Sequence, residues 1–306
     1  MILYNYKNWL SWSYNDIPHG HRTDINDSYK YHIDTTFIKS PVLTYKDELY
    51  NSASLMRDCF TEPFDVLLSG GIDSEIVVRT FKDLGIKHKT FIFKYEDDLN
   101  YRDVESAIEI CLSTGIDFNI IDFNLKDFFE KEAYQLFQKS GSLQAGRLPQ
   151  LKFLDLLDNI PVTGNSEPYW KRNLVSDYSN KSEWVFPIRE GDHNLSIYCH
   201  SQGRSSICDW YEFHPNVIKS FNMHPLIQNL LADKIPGKLS SWSSRIFIHR
   251  EIWPDIKDKP KLIGFEKNNI PGSCPEYIVE LQKTIDAEMG TGQDYWYTST
   301  QLSELF

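Results

Sequence analysis

An apolar run, Phe64-Asp65-Val66-Leu67-Leu68, breaks into Ser69-Gly70-Gly71-Ile72-Asp73-Ser74 and resumes as Glu75-Ile76-Val77-Val78-Arg79-Thr80-Phe81, with helical spacing of its apolar residues. A strand, a glycine-hinged turn and a helix in this order restrict the fold to the α/β class, because the two glycines let the chain turn sharply off a sheet. The same turn has a chemical reading. Bare backbone N–H groups, the Ser69 and Ser74 hydroxyls and the positive end of the following helix together suit a pyrophosphate. An acid inside an anion-binding loop is repulsive unless a cation accompanies the anion, so Asp73 reads as a ligand for the magnesium that travels with ATP. The plainer alternative is a Gly-rich turn that only joins a strand to a helix. The loop lacks the Gly-Lys-Ser/Thr of a Walker loop and the glycine spacing of the dinucleotide fingerprint.

The alternation continues downstream. Tyr45 to Phe60 places Leu49, Ala53, Leu55, Met56 and Phe60 on a helical stripe, and Ser74 to Leu84 is expected to be a helix closed by Gly85. Further strands are expected at His88–Tyr95, Phe118–Phe123 and Asn159–Thr163, with helices at Asp103–Leu112, Lys126–Lys139 and Leu148–Leu157 between them. Strands alternating with helices of this length imply a parallel sheet covered on both faces, whose ligands bind beyond the carboxyl ends of the strands. Ser69 and Gly164 both stand at such ends. The second half is less regular: short strands within Trp184–Cys199, a helical stretch over Pro215–Leu231, and an amphipathic helix over Trp242–Trp253 carrying Ile246, Phe247, Arg250 and Trp253. Residues 1–44 are polar and aromatic, without a clear period, and read as an extension of strands or hairpins packed on a main domain of residues 45–306.

Composition narrows the partners. At 306 residues the chain can bury a large core, and no linker or repeat divides it. A net charge of −11 opposes a nucleic-acid substrate. The aromatic fraction of 14% fits a filled core, or in part a ring-lined pocket. Five scattered cysteines without a Cys-x-x-Cys pair give no support to zinc or redox chemistry and suit a reducing cytoplasm. There is no secretion signal and no apolar run long enough for a membrane span, so a cytoplasmic protein without membrane attachment is expected. Nine histidines show no His-x-x-x-His arrangement, while Tyr211 and Glu212 stand together as a candidate acid–base pair.

The loop matches Ser-Gly-Gly-x-Asp-Ser, the motif of the N-type ATP pyrophosphatases. Taken with the preceding helix, with Asp98-Leu99-Asn100-Tyr101-Arg102-Asp103-Val104, with Val162-Thr163-Gly164-Asn165-Ser166-Glu167, and with Ile246–Glu251 followed by Pro260-Lys261-Leu262-Ile263-Gly264-Phe265, it resembles the synthetase domain of asparagine and β-lactam synthetases over about residues 45–270. The resemblance implies an α/β adenine nucleotide alpha hydrolase-like fold with a mostly helical C-terminal part. It implies an AMP-forming, ATP-dependent ligase that adenylates a small carboxylate and passes it to ammonia or an amine. The nucleotide set it implies is Leu68, Ser69, Gly70, Gly71, Asp73, Ser74, Phe93, Gly164 and Lys261.

Within that set Asp73 and Glu167 would hold magnesium, and Lys261, with Lys259 as a substitute, would offset the charge on departing pyrophosphate. Glu167 has the alternative of a helix cap or solvent-facing acid, since Gly164-Asn165-Ser166-Glu167-Pro168 is shorter than the family's segment. Arg250 has the alternatives of phosphate support and a surface ion pair. Ile2 stands where those synthetases carry a nucleophilic cysteine, so nitrogen is expected from ammonia, an amine or a separate glutaminase partner. Two other readings stay open. One is a relative that modifies a nucleobase or tRNA, disfavoured by the acidic charge and the missing paired cysteines; the other is a nucleotide-binding protein that has lost catalysis.

Overall fold

The computed structural model describes residues 9–18, 20–34, 42–165, 169–172, 182–191, 193–231, 241–258, 274–290, 292 and 294–298. Three short strands come first: β1 (Leu10–Tyr14), β2 (Ile17–Pro18) and β3 (Tyr29–Ile33), paired antiparallel in the order β2-β1-β3. Alternation along β1 buries Leu10, Trp12 and Tyr14 on one face. α1 (Tyr45–Cys59) then starts at Thr44, whose hydroxyl accepts a hydrogen bond from the Asp47 N–H at 3.2 Å.

The main layer alternates as the sequence predicts. It runs β4 (Phe64–Leu67), α2 (Ile72–Asp83), β5 (His88–Tyr95), α3 (Tyr101–Thr114) and β6 (Phe118–Phe123). α4 (Leu125–Lys131), α5 (Ala133–Ser140), α6 (Leu148–Asp155) and β7 (Ile160–Val162) follow. The four strands pair parallel in the order β6-β5-β4-β7, and α3 ends on Gly115 at φ +64°, a left-handed cap. Period-2 alternation sends Phe64, Val66, Leu68 and Ile92 to one face, where α1, α2 and α3 meet them, and Leu67, Phe91 and Tyr95 to the other, where α4, α5 and α6 pack. Asp65, fully buried between those sets, accepts the Asn159 main-chain and side-chain N–H groups at 3.0 and 2.8 Å, which ties β4 to the start of β7.

Beyond β7 lie β8 (Tyr169–Arg172), β9 (Ser182–Arg189), α7 (Asn194–Ser201), α8 (Pro215–Met223), α9 (Pro225–Leu231), α10 (Ser241–Ile252), α11 (Glu276–Met289) and β10 (Asp294–Thr298). The three strands form a second antiparallel sheet in the order β10-β9-β8. Three expectations change. The helix expected over 126–139 is two helices meeting at Glu132, whose φ of −123° departs from helical geometry and lets the apolar sides of both halves reach one core. Residues 194–199, expected within a strand region, are helical; every one of them is buried, so no amphipathic period marks the helix. On α10 the inward side chains include Ile246 and Ile248, while Phe247 is exposed.

Candidate functional site

β4 stays in register past its end because the Leu68 N–H donates to the Phe91 carbonyl at 2.9 Å. The chain then turns at Gly70 with φ +79°, and two conditions require glycine there. The left-handed backbone is one; the other is α3, since a β-carbon would collide with the Asp103 carbonyl oxygen and stand 3.0 Å from the Ala107 nitrogen. Ser106 fastens the same contact by donating its hydroxyl to the Gly70 carbonyl at 2.8 Å.

Gly71 is the N-cap of α2 and supplies no side-chain acceptor, so the first-turn N–H groups of that helix keep the donor capacity that attracts anions. Ser69 and Ser74 frame them. Their hydroxyls lie 3.1 Å apart, the Ser74 hydroxyl accepts the Ser69 N–H at 3.2 Å and donates to the Gly71 carbonyl at 3.1 Å. Ser69 is exposed and Ser74 buried, so one hydroxyl faces outward while the other braces the loop.

Gly164 closes the loop from behind. It follows β7 and pairs with Asp209 in an antiparallel bridge, and a β-carbon on it would lie 2.6 Å from the Asp73 carbonyl carbon and 2.7 Å from the Ser74 nitrogen. Two strand ends separated in sequence therefore converge on the start of α2. The next residue, Asn165, has a buried amide nitrogen with no hydrogen-bond partner among the described residues.

Among the described residues, the cation beside Asp73 is an arginine. Arg245, 5% exposed and carried by α10, places Nη2 at 3.1 Å from Asp73 Oδ2, while the Tyr211 hydroxyl donates to Oδ1 at 3.1 Å. Asp73 keeps 20% of its side-chain area open, so it fits a metal ligand that is already in a cationic field. Behind it the Tyr45 hydroxyl, 3.2 Å from His249 Nε2, is raised well above the usual phenol range by burial and then by the Asp73 charge, so it stays protonated. His249 is pushed down to about 3 by burial, with the Arg245 charge adding to the effect, and is neutral at ordinary pH.

Of the residues expected from sequence, Ser69, Gly70, Gly71, Asp73, Ser74 and Gly164 stand together. Leu68 is buried and offers the site main chain only. The Phe93 ring stacks on Phe153, with centroids 3.5 Å apart. Glu167, Lys259 and Lys261 lie outside the described residues. Arg250 makes the surface ion pair, reaching Asp258 at 3.0 Å and the Ile256 carbonyl at 2.7 Å. Tyr211 and Glu212 do not act as a pair, for Tyr211 turns to Asp73 whereas Glu212 turns to His193 at 3.0 Å.

Sequence reasoning missed Arg245 and the role of Ser106. The one signal for Arg245 was its place in an otherwise apolar stretch, Arg245-Ile246-Phe247-Ile248, where a buried cation needs an acid across the core.

Residues 65–152 match the model of the family described as "QueC: Queuosine biosynthesis protein QueC". A 7-cyano-7-deazaguanine synthase from Methanocaldococcus jannaschii is 33% identical over 111 residues, 36% of this chain and 44% of that protein, so the match spans less than half of the relative. Among solved structures, NMN synthetase from Francisella tularensis aligns over 71% of this chain and 98% of its own at 13% identity and a TM-score of 0.30. NH3-dependent NAD synthetase from Campylobacter jejuni aligns over 79% and 92% at 13% identity and a TM-score of 0.33. The parallel sheet with helices on both faces is the α/β arrangement expected from sequence.

Proposed function

We propose that this chain, which belongs to the PP-loop ATP pyrophosphatase superfamily, uses ATP to activate an oxygen of a small heterocyclic substrate related to 7-deazaguanine, with release of pyrophosphate. The match over residues 65–152 carries this reading, because it contains the whole loop, its clamp against α3 and the strands that aim both at one edge of the sheet.

In the reaction proposed, a carboxylate or carboxamide oxygen of the substrate attacks the α-phosphorus, the bond to the bridging oxygen breaks, and pyrophosphate leaves. The substrate oxygen, now bonded to AMP, has become a leaving group. Ammonia can displace it from a carboxyl carbon, and a carboxamide can lose it as a nitrile forms. The first-turn N–H groups of α2 and the Ser69 hydroxyl would bind phosphate, and Ser74 would hold the loop in shape. Arg245 sets the direction of the Asp73 carboxylate and keeps positive charge beside the phosphates. Magnesium, held by Asp73 and, as the resemblance implies, by Glu167, would draw charge off the departing pyrophosphate; Lys261 is proposed for the same task.

A free base suits this chain better than tRNA. A net charge of −11 repels a polyanion such as tRNA far more than a heterocycle that carries at most one carboxylate. The amide-forming ligase expected from sequence shares the adenylation step and differs in what is adenylated.

One experiment separates them. The protein is incubated with ATP, magnesium and ammonia, together with 7-deazaguanine bearing a 7-carboxyl or 7-carboxamide group, or with a panel of small carboxylates. Pyrophosphate is assayed and products are weighed by mass spectrometry. The expected result is release that depends on the deazapurine and falls about 100-fold or more in Asp73→Asn. Release driven by a simple carboxylate instead would replace this reading with the amide ligase, and release indifferent to Asp73 would remove the loop from the chemistry.

A further inference from the structure

The short turn that sends Tyr211 to Asp73 sends its neighbours the opposite way. Asp209 and Glu212, each 4% exposed, converge with the fully buried His193 just before α7, and one ligand atom from each lies within 4.8 Å of the others. We propose that His193, Asp209 and Glu212 form a binding site for a first-row divalent metal such as zinc, separate from the nucleotide loop.

The surroundings are those of a ligand set. His193 Nδ1 lies 2.8 Å from the Tyr29 hydroxyl, an outer partner that fixes the ring and leaves Nε2 for a metal. Trp12 stacks on the same ring at 5.3 Å. Asp209 is held in turn, accepting the Ser196 hydroxyl at 2.6 Å. His193 Nε2 and Glu212 Oε2 stand 3.0 Å apart, and metal bonds of about 2.0–2.1 Å in a tetrahedron need ligands roughly 3.3 Å apart, so a small opening seats the ion.

Beside the carboxylates is a cavity of about 20 Å³, also lined by Ser196 and Ser206, with room for a metal-bound water. The Ser206 hydroxyl borders this cavity and is 7% exposed. Two carboxylates withdrawn from water favour a dication, which offsets both charges where they stand. One nitrogen and two oxygens with an open side suit zinc, cobalt or manganese better than calcium, which takes oxygens alone. On binding, an Nε2 proton now shared with Glu212 would pass to solvent. The bound ion would pin the strand pair β1–β3 to the turn that carries Tyr211.

The test uses the nucleotide-free full chain, so its outcome is independent of the ATP reading. After dialysis against a chelator, the protein is titrated with Zn²⁺ by calorimetry and with Co²⁺ by visible absorption. One equivalent should bind, with cobalt bands of four- or five-coordinate nitrogen–oxygen ligation. Glu212→Gln and Asp209→Asn should lose at least 100-fold in affinity and Tyr29→Phe about 10-fold. Circular dichroism reports whether each variant folds. Should the carboxylate variants not fold, the wild-type cobalt spectrum and Tyr29→Phe decide. No binding by the folded wild type, cobalt–thiolate charge transfer, or affinity unchanged in the folded variants would each overturn the proposal.

Discussion

At Gly70 an alanine would be strained by its own φ of +79° and pushed away by α3, so Gly70→Ala is expected to lower stability by about 2–4 kcal/mol and to abolish nucleotide binding. Gly71→Ala is the contrasting case. Its φ of −73° is ordinary, and its β-carbon would meet only the Ser69 hydroxyl at 3.4 Å, so stability should change by less than about 1 kcal/mol while phosphate approach is obstructed. Urea denaturation and ATP calorimetry on the two variants check both halves of this expectation. The loop residues were legible in sequence because the strand, the glycines and the hydroxyls that shape them are consecutive. Arg245 was not, since its partner Asp73 lies 172 positions away and only the packing of α10 unites them.

The elements divide along the same line. β5 and β6 begin and end where sequence places them, because β-branched and aromatic residues flanked by glycine or polar turns mark strands locally. α7 was hidden, for a helix buried on every side has no polar stripe to give a period. Asp65 was equally silent: an acid in an apolar strand carries no sign that Asn159 will meet it. Asp65→Ala strips two charge-assisted hydrogen bonds from a buried site and leaves the Asn159 N–H groups to be satisfied elsewhere. A loss of about 2–4 kcal/mol is expected in denaturant unfolding, with β7 the first strand to lose amide-exchange protection.

Across the whole molecule, acid should be the weak side of the stability curve. His249 is pushed down to about 3 from an ordinary 6.5, so the unfolded chain binds a proton there that the folded chain refuses. Its contribution is complete above about pH 6.5 and is lost progressively below it, at no more than about 1.4 kcal/mol per pH unit for one imidazole. His88 and His200, both lowered by burial, act in the same direction. Urea midpoints should therefore fall from pH 7 to pH 5, and less steeply in His249→Gln.

The N-terminal strands are joined to the rest by a buried bidentate pair, Arg22 Nε to Glu190 Oε1 at 2.7 Å and Nη2 to Oε2 at 2.8 Å, with the Tyr14 hydroxyl donating to the same carboxylate at 2.6 Å. Arg22→Met would strand that carboxylate and should lower stability by about 3–5 kcal/mol, read as an unfolding midpoint.

Arg22 also donates to the Met289 carbonyl at 3.2 Å, 267 positions further on. A ribosome delivers such a chain from its amino end, so the residues around Trp12 and Tyr14 emerge long before the carboxylate and the helix terminus that will cover them. Native closure around Arg22 thus waits until residue 289 has been made, and until then that aromatic hairpin is a stretch of nascent polypeptide that a chaperone has reason to hold.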